Sequence, residues 1–289
     1  MHKIILHIGY PKTATTTLQK NIFPKIRNLD YVEGALYPSG NIEKGCLQGK
    51  EKVLLSNERV LGLKDKYEGK GKSLKNNFAE ENVRVVVLLT IRSQIDMIKS
   101  IFTFYYGLFE QEGYSNINKM VLGEIGENGK MGIGGWLNYE NVIRQFEDVF
   151  GKKNIHVLKY EDFSNEREDF YEGLSRVTGE SCEYIEAISG EMTSYNVQPK
   201  KDKKRYMKPS KIYTWISFFK STHLSEMKPV SEYPLGSYFK SLVSSFNKEV
   251  KMNERSKNII LSRYSDANSR LFDGFSLKRY GEYPMSESL

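Results

Sequence analysis

The residues Gly9-Tyr10-Pro11-Lys12-Thr13-Ala14-Thr15-Thr16-Thr17 carry the clearest chemical signal in the chain. They stand between a short apolar segment and a helical pattern. Backbone N–H groups and the dipole at a helix start attract an anion, and threonine hydroxyls add donors. Threonine-rich turns are also ordinary helix caps; the order strand, glycine, Pro-Lys, helix is what favours a ligand. The loop can be set beside the Gly-x-x-x-x-Gly-Lys-Ser/Thr loop of nucleotide triphosphatases. Gly9 takes the first glycine position, Ala14 stands for the second, Thr15 for the lysine and Thr16 for the magnesium-binding hydroxyl. The lysine stands three residues earlier, at Lys12, and no convincing strand ends in an aspartate to hold magnesium. The loop reads as built for a phosphate-like group and not for metal-assisted triphosphate hydrolysis.

Other places pair charge with position. Leu89-Thr90-Ile91-Arg92 closes the strongest apolar run, and Ser100 follows Arg92 by eight residues. A guanidinium fork and a hydroxyl suit a phosphate monoester, although each residue alone reads as surface filler. Val53-Leu54-Leu55 ends in Ser56-Asn57-Glu58, and Tyr31-Val32 is followed by Glu33. Glu58 and Glu33 are carboxylates placed after strands, where a general base could stand; each is otherwise a turn carboxylate or a salt-bridge partner. His7 and His156 lie in strand patterns and read as structural. Tyr105 and Tyr106 are candidates for lining an acceptor cleft.

These residues need a scaffold that brings strand ends together. Ile4 to Ile8 is nearly continuous in apolar residues, as in a buried parallel strand. Leu18, Ile22 and Ile26 recur every four residues and predict a helix. Val83 to Leu89 is a β-branched strand, followed by a helix over 94–109. Residues 112–135, rich in Gly and Asn, are expected to form an inserted loop. Trp136 to Phe150 reads as a helix and Ile155 to Leu158 as a strand. Ser164 is the expected N-cap of a helix ending near Thr178-Gly179. A helix is expected over 255–272, within a C-terminal helical part of about 236–280. Alternating strands and helices predict a parallel sheet with helices on both faces, and ligands at its carboxyl ends. Each polar cluster above follows a predicted strand. A basic loop of about 196–211 reads either as a mobile loop closing over an anionic ligand or as a solvated charged face.

Residues 10–19, Tyr-Pro-Lys-Thr-Ala-Thr-Thr-Thr-Leu-Gln, closely resemble the 5′-phosphosulfate loop of sulfotransferases. The pair Arg92 and Ser100 resembles that family's second signature. Val157 to Phe163, with its Tyr160-Glu161-Asp162, resembles a later strand ending. Asn268, Leu271 and Tyr280 to Pro284 resemble the tail of bacterial, carbohydrate-type members. The resemblance is specific at residues 9–19 and 89–100 and diffuse elsewhere. It implies one domain over residues 1–289, a three-layer αβα, P-loop nucleotide-kinase-like fold with extra C-terminal helices. It implies 3′-phosphoadenosine 5′-phosphosulfate as co-substrate, with no metal. Lys12 would stabilise the leaving phosphate. Thr13, Ala14, Thr15, Thr16 and Thr17 would wrap the 5′-phosphate, and Arg92 and Ser100 would hold the 3′-phosphate. Cytosolic members carry a histidine after the strand where this chain has Glu58; carbohydrate-type members use a glutamate base, so the resemblance implies Glu58 as the preferred base, with Glu33 its rival. The family usually has glycine in place of Ala14. The implied acceptor is a carbohydrate or glycoconjugate, such as a polysaccharide or glycolipid precursor.

Composition fits this reading. The chain has 289 residues, 39% hydrophobic and 27% charged, which is globular and sufficient for one large α/β domain. A net charge of +7 suits an anionic partner without naming it. The two cysteines have no metal spacing. The apolar start is too short for a signal-peptide core, and no run approaches a membrane span, so a cytoplasmic protein is expected. A phosphotransferase of P-loop type and a basic nucleic-acid-binding protein are the alternatives. The first needs a late lysine and the second a reader motif, and neither is present.

Overall fold

The computed structural model describes residues 2–43, 45–61, 69–78, 83–127, 129–165, 167–190, 205–207, 247–277 and 283–285. Five strands form one parallel sheet: β1 (His2–His7), β2 (Asp30–Val32), β3 (Lys52–Ser56), β4 (Val83–Ile91) and β5 (Ile155–Lys159), in the order β2-β3-β1-β4-β5. A parallel sheet covered on both faces needs strands without a polar side. Ile4, Ile5 and Leu6 of β1 and Val86 to Leu89 of β4 are accordingly all buried.

The chain leaving β1 covers one face through α1 (Thr15–Thr17), a π-helical turn (Leu18–Ile22) and a 3₁₀ turn (Phe23–Lys25). Leu18, Ile22 and Phe23 share an apolar cluster with Phe170, Leu174 and Ile185. The opposite face is covered by α2 (Lys70–Asn76), α3 (Gln94–Phe104), α4 (Tyr106–Gln111), α5 (Ile117–Met120), α6 (Ile133–Trp136) and α7 (Tyr139–Phe150). Met97, Ile98 and Ile101 of α3 pack there with Val142 and Phe146 of α7. After β5 come α8 (Tyr160–Asn165), α9 (Arg167–Thr178) and α10 (Cys182–Gly190). A short antiparallel pair, β6 (Arg205–Met207) and β7 (Asn247–Glu249), and α11 (Glu254–Phe275) follow. The result is the expected three-layer αβα architecture with an additional C-terminal helix. Adjacent β1 and β4 send their chains to opposite faces, which opens a crevice between their carboxyl ends. Among the described residues no helix is long and apolar enough to cross a membrane.

Several elements depart from the sequence reading. The stretch 112–135, expected as a loop, is largely α5, a π-helical turn (Val121–Gly126) and α6. Its buried Ile117, Met120, Val121, Ile125 and Ile133 recur at helical spacing despite the glycines, and the Glu124 carboxylate gathers Tyr114 Oη at 2.6 Å and Met131 N at 3.1 Å. The helix expected over 94–109 breaks at Tyr105, between α3 and α4. The helix through Leu18 and Ile22 stops before Ile26, just past Pro24. Ser164 is not an N-cap: it lies in the last turn of α8 and donates to Glu161 O at 3.0 Å. The basic loop lies outside the described residues except for the backbone of β6, which runs beside α3.

His7, at the end of β1, is fully buried with its ring edge-on to Phe23. Its Nδ1 lies 2.7 Å from Ser56 Oγ, which accepts from Gln19 Nε2 at 2.9 Å. Burial drives its pKa from 6.5 down to about 3. The native state therefore binds this proton far less readily than the unfolded chain, and stability falls as pH drops from 6.5 toward 3. Between pH 7.5 and pH 5 this residue should cost about 2 kcal/mol, read from urea midpoints. His7→Gln should flatten that slope; an unchanged slope would mean the imidazole titrates normally.

Candidate active site

The loop after β1 is fastened to its neighbours at several points. Tyr10 is fully buried, donates to Trp136 O at 3.0 Å, and meets the rings of Trp136 and Tyr139 edge-on. Tyr10 N donates to Thr90 O at 3.1 Å. Gly9 packs so tightly on β4 that a Cβ would lie 2.0 Å from Thr90 Oγ1. The Thr13 hydroxyl donates to Tyr10 O at 2.5 Å and lies 2.6 Å from Thr90 Oγ1; Thr15 Oγ1 donates to Tyr10 O at 3.3 Å. Thr13 and Thr15 are thus buried and turned into the scaffold, whereas Thr16 is exposed and Thr17 half-buried. Two residues without glycine's freedom are held left-handed, Lys12 at φ 69° and Ala14 at φ 62°. Ala14 adopts there the conformation that glycine favours.

Arg92 closes the loop from the β4 side. Its Nη1 donates to Lys12 O at 3.0 Å, and its guanidinium carbon lies 4.4 Å from the centre of the Tyr160 ring. Its Nε is buried and finds no hydrogen-bond partner among the described residues. The turn carrying Arg92 is itself clamped. Tyr139 Oη donates to Arg92 O at 2.6 Å, and Ser93 N donates to Glu161 Oε1 at 3.0 Å. Tyr283 Oη, far along the chain, donates to Glu161 Oε2 at 2.6 Å. Burial raises the Glu161 pKa, and these donors work against it. Ser93 caps α3, whose second turn presents the half-buried Ser100.

The two candidate carboxylates fall in different surroundings. Glu33 is exposed and ion-paired to Lys20. Glu58 opens a 3₁₀ turn (Glu58–Leu61) after β3, near enough for its charge to act on the loop lysine. Asn57 fixes that turn: its N donates to His7 O at 3.0 Å, its Nδ2 donates to Leu36 O at 2.6 Å, and its Oδ1 accepts from Arg59 N at 2.9 Å. Lys12 is half-buried and its pKa is lowered, first by burial, with Glu58 opposing and Arg92 adding to the fall. The Tyr105 hydroxyl, its pKa raised by burial, senses Glu58 and Arg59. Lys12, Glu58, Arg92 and Tyr105 are thus brought together, and Glu33 is not among Lys12's charged neighbours. Tyr106 is buried and bonded to Glu110.

Sequence reasoning missed Asn57, Tyr139 and Phe104. Phe104 left a signal in falling off the apolar stripe of α3; the structure leaves it 63% exposed. His156 is half-buried on β5 with a pKa lowered by burial and by Lys3, Arg176 and Arg84, and is not among these residues. A hollow of about 330 Å³ beside β5 and one of about 860 Å³ near the start of β4 touch none of Lys12, Glu58 or Arg92.

No protein-family model matches the chain, and no curated protein matches it. Among solved structures it is similar to a sulfotransferase from Alicyclobacillus acidocaldarius, with 13% identity and a TM-score of 0.46 over 68% of this chain and 86% of that one. It is also similar to mouse sulfotransferase SULT7A1 complexed with PAP, with 13% identity and a TM-score of 0.38 over 89% and 88%.

The strain at Ala14 has a measurable sign. Ala14→Gly should raise stability by roughly 0.5 kcal/mol, because relief of the left-handed backbone exceeds the added chain entropy. Gly9→Ala should lower it by about 2 kcal/mol through the clash with Thr90. A lower urea midpoint for Ala14→Gly would mean that residue 14 is not held left-handed.

Proposed function

We propose that this chain is a sulfotransferase that moves the sulfuryl group of 3′-phosphoadenosine 5′-phosphosulfate to an acceptor hydroxyl or amine. The observation that carries this reading is the convergence of two cations at the crevice between β1 and β4. Arg92 is bonded to the backbone of Lys12, the two side chains repel, and a buried Arg92 nitrogen is left as a donor. Like charges fixed side by side are costly unless an anion joins them. A nucleotide carrying a 5′-phosphosulfate and a 3′-phosphate offers two anionic groups. The sequence resemblance at residues 10–19 and 92–100 supports the same ligand.

In this reading the acceptor oxygen attacks sulfur while the bond from sulfur to the bridging oxygen breaks. The bridging electron pair stays on the 5′-phosphate, and Lys12 stabilises that charge. Glu58, whose charge acts on Lys12, takes the acceptor proton; Glu33, held by Lys20 on the surface, is the weaker choice. Loop backbone N–H groups, with Thr16 and Thr17, serve the 5′-phosphate, since Thr13 and Thr15 are committed to the scaffold. Arg92 and Ser100 serve the 3′-phosphate. The products are the sulfated acceptor, 3′-phosphoadenosine 5′-phosphate and a proton, and no step needs a metal. The resemblance to carbohydrate-type members extends the proposal to a carbohydrate or glycoconjugate acceptor.

Calorimetry with 3′-phosphoadenosine 5′-phosphate in chelator should show micromolar binding. Arg92→Ala should weaken it by roughly 10- to 100-fold, the loss expected for charge-assisted hydrogen bonds to phosphate. Because the Lys12 pKa is lowered, binding should begin to fall on the alkaline side earlier than for an ordinary lysine. Binding of ATP alone, and only with magnesium, would replace this reading with a phosphotransferase. Binding of nucleic acid that collapses with salt would replace it with the nucleic-acid reading.

A further inference from the structure

Phe104 is the last residue of α3, and core packing does not explain it. The helix buries Met97, Ile98, Ile101 and Phe102, while Phe104 is 63% exposed, the highest value among the described large apolar side chains. Its ring is nevertheless engaged. Lys12 Nζ lies 3.3 Å from the ring centre, over its face, and the Tyr105 ring stands edge-on at 4.8 Å. The negative face of an aromatic ring attracts an ammonium. Lys12 also feels the charge of Glu58, which attracts it, and of Arg92, which repels it. A lysine side chain is long and flexible, and fixing it costs rotamer freedom. The helix break at Tyr105 places the ring where it can take up part of that ordering in advance.

We propose that Phe104 is a positioning residue that holds the Lys12 ammonium in the place where charge develops on the leaving phosphate. This rests on the sulfuryl-transfer reading above. The ring touches neither phosphate nor sulfur; it acts through the lysine. An aliphatic side chain of similar bulk would cover the same surface without attracting the ammonium, so substitution separates positioning from simple packing.

The test uses the whole chain with 3′-phosphoadenosine 5′-phosphosulfate and no acceptor, so that water takes the sulfuryl group and the products are sulfate, 3′-phosphoadenosine 5′-phosphate and two protons. Phe104→Leu should lower kcat roughly tenfold with the donor KM within about twofold, and Phe104→Tyr should recover most of the rate. A second readout is independent of turnover. After reductive ¹³C-methylation of lysines, the Lys12 signal, identified by its loss in Lys12→Arg, should be shifted upfield by the ring. It should keep that shift in Phe104→Tyr and lose it in Phe104→Leu. A Phe104→Leu variant that turns over at the natural rate, or a Lys12 signal without the shift, would overturn the proposal while leaving the donor reading intact. If the natural protein neither binds 3′-phosphoadenosine 5′-phosphate nor releases it from the donor, the donor reading falls and this inference falls with it.

Discussion

Gly9 and Thr90 meet where β1 and β4 end, at a separation that admits no side chain on residue 9. That contact lets one hydroxyl on β4 reach the loop of the neighbouring strand. Thr90 Oγ1 meets Thr13 Oγ1, and Thr13 holds the Tyr10 carbonyl. Once Tyr10 is buried against Trp136 and Tyr139, the loop is tied to the sheet on one side and to α6 and α7 on the other. Only a loop held so firmly can keep Lys12 and Ala14 left-handed, each at a cost of about 1 kcal/mol. Strain of this kind persists where surrounding packing overdetermines it. Here it aims the lysine.

The electrostatics follow from the same frame. Bonding Arg92 to the Lys12 carbonyl joins two loops and also brings two cations together. The balancing carboxylates are placed unequally. Glu58 acts on Lys12 through its charge, from a turn that Asn57 fixes through three hydrogen bonds. Glu161 is buried behind the Arg92 turn, where it accepts from Ser93 N and Tyr283 Oη instead of pairing with a side-chain cation. A buried carboxylate stays tolerable when its oxygens are hydrogen-bonded. Glu161 therefore shapes the turn while Arg92 keeps a donor to spare.

Much of the fold was legible because its strands are near-continuous apolar runs, and nothing but a doubly covered parallel sheet explains Ile4 to Ile8 beside Val83 to Leu89. The loop at 9–17 and Arg92 stood out because strand, glycine, Pro-Lys and helix occur in that order and a second strand ends in arginine, although each residue alone has ordinary uses. What escaped was set by tertiary contact. The glycines of 112–135 suggested a loop, but an apolar spacing within the segment and the Glu124 carboxylate made it helical. The threonines looked alike in sequence, and only their neighbours separate Thr13 and Thr15, which face the scaffold, from Thr16 and Thr17. Glu33 and Glu58 each follow a short strand; Lys20 takes one, and the crevice takes the other. Phe104 was passed over because a helix is read for its buried face.

The bond between Tyr283 and Glu161 spans 122 residues of sequence. A chain emerging from a ribosome presents Glu161 long before the residue that completes its bonding. Until then the carboxylate has every reason to stay in water, and the turn that carries Arg92 lacks its backing. All five strands of the sheet precede residue 160, although their parallel pairings are long-range, whereas the bond that backs the Arg92 turn needs residue 283. The turn that carries Arg92 therefore gains its full support only after every strand of the sheet has been made.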